Sequence, residues 1–553
     1  MFRSHLCLSG KTSTMRAIAL RITFVMCVSL MAVPSLSAQS VRMSGEDEQI
    51  VAEINRMIKQ GWEDNDVKPS ARAADGEWLR RVTLDVHGHI PTSKEVAAFN
   101  ADKDKAKRQH AILRLLDHPD YVKNWTTVWT NLMIGQGTPD RTSREGMQKY
   151  LRESLAKNKP WNEMVFDLVT AEGRFDENGA VNYLLSQMQD RDGGVQATAK
   201  TTRLFLGIQV QCTQCHNHPF NEWQHSQFWE FNSFLKEARR VDHRKLDPNS
   251  GRQVDDYSEL LNGQFNGPVY FEKRNGVMQV AYPNYFGKQI GPDEKVNRRM
   301  VFGELLRADE ERHVARAFVN RMWAHFFGYG FTRPVDDIGP HNPPSNPELL
   351  EFLTAKFAES NYNVKQLMAW IVSCESYQLE SKFSNSNEID NPAAGESPLF
   401  SRMYVKAMTA EQVYDSMLVA TLPAQAGELN LEQAQADRQR WLQQFITTFG
   451  TDENDESTNF NGTIPQALMM MNGELINRAL AENQATRLQQ VIAAAKDPND
   501  VVQELYQTVL SRSPTRAELN QLRPVLNRKA TIREAYEDLY WALLNSNEFQ
   551  LIY

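Results

Sequence analysis

Residues 77–99, EWLRRVTLDVHGHIPTSKEVAAF, decide how this chain is read. The stretch reads as a helix, a turn through Gly88 and Pro91, and a second helix, for which Thr92 and Glu95 supply a capping box. Upstream, EDEQIVAEINRMIKQGWED (46–64) sets Ile50, Ile54, Met57 and Ile58 on one helical face. Downstream, HAILRLLDHPDYV (110–122) predicts a helix that ends near Pro119. The same grammar returns in LYQTVLSRSPTRAELNQL (505–522), where Thr515 and Glu518 form another capping box. LLDHPDY (115–121) is echoed by LLNSNEF (543–549) and more faintly by IVSCESY (371–377). The spacing of these echoes is irregular, so they do not make a solenoid.

The middle of the chain differs. Residues 239–290 are rich in Gly, Asn, Asp and Pro, and GPVYFEKRNGVMQVAY (267–282) places two β-prone runs around Asn275-Gly276, a hairpin signal. Helical patterning resumes in ERHVARAFVNRMWAHFFGYGF (311–331) and in residues 346–378, separated by the turn-rich RPVDDIGPHNPPSNPE. Residues 384–398 and 451–463 read as polar loops. The expected fold is therefore mainly α. A helical region over 45–238 is joined to a second over 291–553 by a linker at 239–290 that carries a small β-hairpin insertion.

Residues 1–38 stand apart. Arg3, Lys11, Arg16 and Arg21 with no acid, an apolar run from Ala17 to Val33, then Pro34 and small residues have the layout of a secretory signal peptide. The run is short for a membrane span, and no later segment reaches that length. The 553 residues hold 61 bases and 69 acids; without the four leader bases the balance is 57 against 69, a net charge of −12. Nucleic acid is accordingly disfavoured as a partner.

Of the five cysteines, Cys7 and Cys27 lie in the leader, leaving Cys212, Cys215 and Cys374, too few for a disulfide scaffold. Cys212 and Cys215 belong to QCTQCHNHPFNEW (211–223), whose Cys-x-x-Cys-His is the attachment signature of c-type haem. Two thiols one turn apart add to two vinyl groups of one porphyrin, and His216 then ligates iron. Export fits, because covalent haem attachment takes place outside the cytoplasm. Zinc is the rival chemistry, with Cys212 and Cys215 as half a tetrahedral site, His216 or His218 as a third ligand and His225 as a fourth. A Cys212–Cys215 disulfide is the third. Far-side candidates for a haem iron are His325, Met322 and His225. Arg321 and His325 share a helix face, with Trp323 and Phe326 as walls, so this helix is expected to pack over residues 212–223. Phe220, Trp223, Phe228, Trp229, Phe231 and Phe234 either wall a cofactor or pack a helix. Asp336 and Asp337 raise carboxylate or cation chemistry against plain capping. No phosphate loop, nucleophile elbow or complete catalytic constellation appears, so enzyme status stays open.

Three stretches, LRRVTLDVHGHIPTSKEV, RLFLGIQVQCTQCHNHPFNEW and FWEFNSFL, resemble the secreted cytochrome-like family of planctomycetes, the PSCyt type, a domain of unknown function. RAFVNRMWAHFFGYGFTRPVDDIGPHNPPSNPELLEFL, SCESYQL, MTAEQVYDSML and TIPQALMMMNGELIN resemble its PSD-type companion, also of unknown function. The resemblance implies an exported, periplasmic or secreted cytochrome-like protein that binds haem c at Cys212, Cys215 and His216. The alternative it leaves is a zinc-binding or scaffolding protein of the cell envelope, with His216, His218 and His325 as metal ligands. It further implies other exported proteins as partners, among them a sulfatase-like secreted family. Many relatives carry a separate cytochrome c domain upstream, for which these 553 residues have no counterpart. GHIPT stands where the family more often has Gly-Leu-Pro-Pro-Thr.

Overall fold

A computed structural model describes residues 43–188, 193–263, 267–292, 294–421, 473–480, 486–528 and 532–553. The leader, the loop at 451–463 and most of TIPQALMMMNGELIN lie outside them. The fold is mainly α, as expected. Helices α1 (Gly45–Asp64), α2 (Asp75–His87), α3 (Ser93–Ala101), α4 (Lys107–Asp117) and α5 (Pro119–Ile134) follow one another through short turns. The local chemistry is that read from the sequence. Thr92 Oγ1 accepts from Glu95 N–H while the Glu95 carboxylate accepts from Thr92 N–H. Gly88 takes the left-handed conformation that ends α2, and Pro119 opens α5. Thr515 and Glu518 bond in the same reciprocal way. Next come α6 (Arg144–Ala156), α7 (Trp161–Thr170), α8 (Asn182–Ser186), α9 (Val195–Leu206) and α10 (His225–Leu235). After a β-rich stretch, α11 (Arg298–Ala308), α12 (His313–Phe327), α13 (Pro347–Glu359), α14 (Val364–Ser373) and α15 (Ala410–Thr421) precede a helical C-terminal segment.

Strands are few. The hairpin expected around Asn275-Gly276 is present: β4 (Val269–Glu272) pairs antiparallel with β5 (Met278–Ala281), and Gly276 has φ +81° in the turn. A longer ribbon precedes it, formed by β2 (Ala238–Leu246) and β3 (Gln253–Asn262), with β1 (Gly173–Arg174) on the far edge of β3. This ribbon has little apolar alternation. It is held across strands by Arg244–Asp255 and Lys245–Asp256 ion pairs and by His243 stacked on Tyr257, so its sequence reads as a polar linker. Two short pairs complete the strands, β6 (Asn284–Tyr285) with β7 (Lys288–Gln289) and β8 (Lys406–Ala407) with β9 (Leu551–Ile552).

Two apolar clusters organise the described residues. The first runs from Ile50 to Tyr404 and draws side chains from both sides of 239–290. The second gathers residues 408–552 around Leu84 and Ile90. Helix α2 therefore touches both, and Trp78, Leu79, Arg80, Arg81, Val82, Thr83, Leu84, Asp85, Val86 and His87 are all buried. A helix enclosed all round must find partners for its polar side chains. Arg80 donates to the carbonyls of Val509 and Phe549, and Arg81 to those of Tyr377 and Tyr553. No helix of the described residues is long and apolar enough to cross a membrane.

Candidate functional site

The motif follows α9. Gly207 ends that helix in the left-handed conformation, and Ile208 and Val210 are buried as they lead into a 3-10 turn, Gln211–Gln214. Side chains three apart eclipse in such a turn. Cys212 and Cys215 are both free and exposed, while Thr213 between them is buried and donates its hydroxyl to the Val210 carbonyl at 2.6 Å. The turn is pinned from behind by His225, whose Nε2 lies 2.8 Å from the Gln214 carbonyl and whose ring meets Phe271 edge-on.

The loop that follows is closed by short polar side chains. His225 N–H donates to Asn217 Oδ1, Trp223 N–H to Asn221 Oδ1, and His218 N–H to the Trp223 carbonyl. His216 Nδ1 lies 2.6 Å from the Asn217 carbonyl, so Nδ1 carries the proton and Nε2 keeps its lone pair. His218 has the opposite arrangement: Nδ1 accepts from Phe220 and Asn221 N–H at 3.3 and 3.2 Å. To ligate a metal through Nε2, a neutral His218 would have to move its proton to Nδ1 and break both bonds. Burial draws the imidazoles of His218 and His225 below their ordinary pKa, with Asp337 opposing it at His218.

The surroundings differ from expectation. Residues 334–342 face the motif and its lead-in, with Ala317 of α12 also against Gly207. Ile338 N–H donates to the Gly207 carbonyl at 2.8 Å, and a Cβ on Gly207 would come within 2.9 Å of Ile338. Asp336 accepts from Gln209 at 2.9 Å and pairs with Arg203 at 3.3 Å and Arg321 at 3.7 Å, tying the lead-in to α9 and α12. Asp337 holds His341 Nε2 at 3.0 Å, and the His341 and His218 ring centres are 6.3 Å apart. Asp336 is thus a cross-brace, and Asp337 orients a histidine that the sequence reading passed over; the (i, i+4) Asp-His spacing in a turn was the available signal. Arg321 reaches the site only through Asp336.

His325 is not brought to the motif. Its contacts lie elsewhere, with Nε2 3.1 Å from the Asp85 carbonyl and its ring 4.6 Å from that of Trp125. Met322 is buried in the first core cluster. The α10 aromatics serve as packing: Phe234 stacks on Phe302, Trp229 on Phe271, and Trp223 meets Phe231 and Phe286. Phe220, 85% exposed at the loop tip, packs into no core. Among the described residues, no three ligand atoms of Cys212, Cys215, His216, His218, Asp337 and His341 lie within 4.8 Å of one another.

No curated protein and no solved structure matches the chain. Two family models do. Residues 53–240, which include the motif, match PSCyt2, described as a protein of unknown function (DUF1549). Residues 298–526, which include the loop facing it, match PSD1, also described as a protein of unknown function (DUF1553). The chain therefore belongs with the proteins in which a PSCyt2 domain is followed by a PSD1 domain, both of unknown function.

Proposed function

We propose that this is an exported redox protein carrying one c-type haem on Cys212, Cys215 and His216. The observation that carries the reading is the geometry of the turn: two free, exposed thiols at i and i+3, followed by a histidine with its Nε2 lone pair unengaged. Attachment adds each S–H across a vinyl C=C, giving two thioethers with no change in electron count. His216 Nε2 is the near-side iron ligand, and its Nδ1–H···O=C bond to Asn217 fixes the tautomer and raises its basicity. Thr213 and His225 stiffen the turn so that both thiols stay on the outer face. A haem held in this way supplies one-electron transfer at its iron.

A tetrahedral zinc ion needs its ligand atoms gathered about one point. The spread of the 212–218 side chains instead suits anchoring to the rim of a larger group. The leader at 1–38 would deliver the thiols to the compartment where haem is attached.

The test is expression with haem-attachment machinery, followed by a pyridine haemochrome spectrum after acid extraction and an intact mass. One haem per chain that resists extraction, and that is lost in C212S/C215S, is expected. A colourless protein with the mass of the bare chain, or of chain plus zinc, overturns the proposal.

A further inference from the structure

We propose a second site, independent of the cysteine motif: His87, His118 and Asp120 bind a divalent transition metal of the zinc class, and His89 positions Asp120. One ligand atom from each of the three lies within 4.8 Å of the others, the one such grouping among the described residues. His87 closes α2, His118 is the break between α4 and α5, and Asp120 sits in the first turn of α5. The three come together because α2 packs on α5. Gly88 makes that approach workable: its φ is +78°, and a Cβ there would lie 2.4 Å from Asn124 Oδ1 of α5. Asn124 in turn donates to the Val86 carbonyl, so the His-Gly-His turn is clamped from outside.

The proton position at His87 suits ligation. His87 Nε2 lies 2.9 Å from the Leu115 carbonyl, so it carries the proton and Nδ1 keeps the lone pair. Protein-bound zinc commonly has histidines whose second nitrogen is held by a carbonyl in this way. His87 is 7% exposed, so its ring is held within the α2–α5 contact. His118 Nδ1 accepts from Asp120 N–H at 3.2 Å and lies 3.3 Å from Asp120 Oδ2. A metal bound at His118 Nδ1 would take the place of the Asp120 N–H at that lone pair, beside the Asp120 carboxylate oxygen. His89 is fixed at both ends, Nδ1 to the Ile90 carbonyl at 2.8 Å and Nε2 to Asp120 Oδ2 at 3.2 Å. Asp415 also faces His89, and Lys123 is 3.8 Å from Asp415.

The chain itself supplies a control. The echoes at 371–377 and 543–549 make comparable breaks after a helix and bury Tyr377 and Phe549 where the first copy buries Tyr121. Their counterparts of His118 and Asp120 are Cys374 and Ser376, and Ser546 and Glu548. Packing at such a break therefore does not require the histidine–aspartate pair. The donor set of two imidazoles and one carboxylate suits zinc and its neighbours rather than calcium or magnesium. His118 and Asp120 are open to solvent, which gives an ion a path in and leaves positions for water.

Calorimetric titration of chelator-treated full-length protein with Zn²⁺ tests the site. One zinc per chain is expected in the wild type and in C212S/C215S. Binding should be lost in H118A and D120N, and weakened about 10–100-fold in H89Q. Metal-free melting curves report whether each variant is folded. Co²⁺ loading of the wild type reads the donor atoms without any variant: a spectrum of nitrogen and oxygen ligation is expected. No zinc uptake, unchanged uptake in H118A and D120N, loss confined to C212S/C215S, or a thiolate-to-cobalt charge-transfer band each overturns the proposal.

Discussion

Lys406 Nζ lies 2.7 Å from Asp85 Oδ1, and the two side chains are 4% and 1% exposed. Asp85 is on α2, and Lys406 begins the short strand that pairs with Leu551–Ile552. The Tyr377 hydroxyl donates to the other Asp85 oxygen at 2.6 Å, and Lys406 also donates to the His325 and Phe326 carbonyls at the end of α12. One buried pair thus ties α2, α12, the 371–377 break and the C-terminal strand. Removing one charge leaves the other enclosed without its counter-ion, which costs about 3–5 kcal/mol. Lys406→Met should lower stability by about that amount in urea unfolding, and Asp85→Leu in the same chain should recover part of it.

A related prediction concerns Arg80. Its guanidinium, fully buried, donates to carbonyls at the ends of two C-terminal helices, Pro498–Leu510 and Asn547–Gln550. Arg80→Ala leaves both carbonyls unpaired and should cost about 2–3 kcal/mol. Hydrogen exchange locates the effect: protection should fall in those two helices and in α2, and stay near wild type in α13.

Thiol accessibility separates the three described cysteines. Cys212 and Cys215 are exposed, while Cys374 is buried and its thiol is pushed up to about 12 by that burial. In protein made without haem-attachment machinery, native alkylation followed by mass spectrometry should label Cys212 and Cys215 and spare Cys374. Labelling of Cys374 should require denaturant. With haem attached, the two motif thiols should become unreactive as well.

Much of this architecture was legible because helices declare themselves locally. The Thr92–Glu95 and Thr515–Glu518 boxes, the α1 stripe and the Asn275-Gly276 hairpin rest on spacing of four residues or fewer. The β2–β3 ribbon was not legible, because cross-strand ion pairs and a His243–Tyr257 stack hold it in place of apolar alternation. The motif and its near-side histidine were legible as a pattern. What faces them was not: Asp336, Asp337 and His341 are more than a hundred residues away, and only the folded chain brings the 334–342 loop to them. His87 and His118 were quoted in helical stretches without being weighed together, since convergence across the α2–α5 contact leaves no mark in either stretch alone.

His325 shows what placement decides. On the sequence it was a candidate ligand; in the fold its Nε2 donates to the Asp85 carbonyl while its ring lies against Trp125 and Phe326. Burial, reinforced by the nearby Lys406 charge, lowers its pKa from 6.5 to about 4. Between those values the unfolded chain holds a proton that the folded chain does not, so stability is lost as pH falls from 6.5 towards 4. The slope from one such group is about 1.4 kcal/mol per pH unit. His87 is buried neutral too and adds its own slope, so the diagnostic quantity is a difference between proteins. His325→Gln keeps a donor for the Asp85 carbonyl and removes the titration. Urea midpoints measured at about pH 7, 6 and 5 should fall less steeply in this variant than in the wild type. Parallel curves would mean that His325 is protonated equally in both states, which its enclosure beside Lys406 argues against.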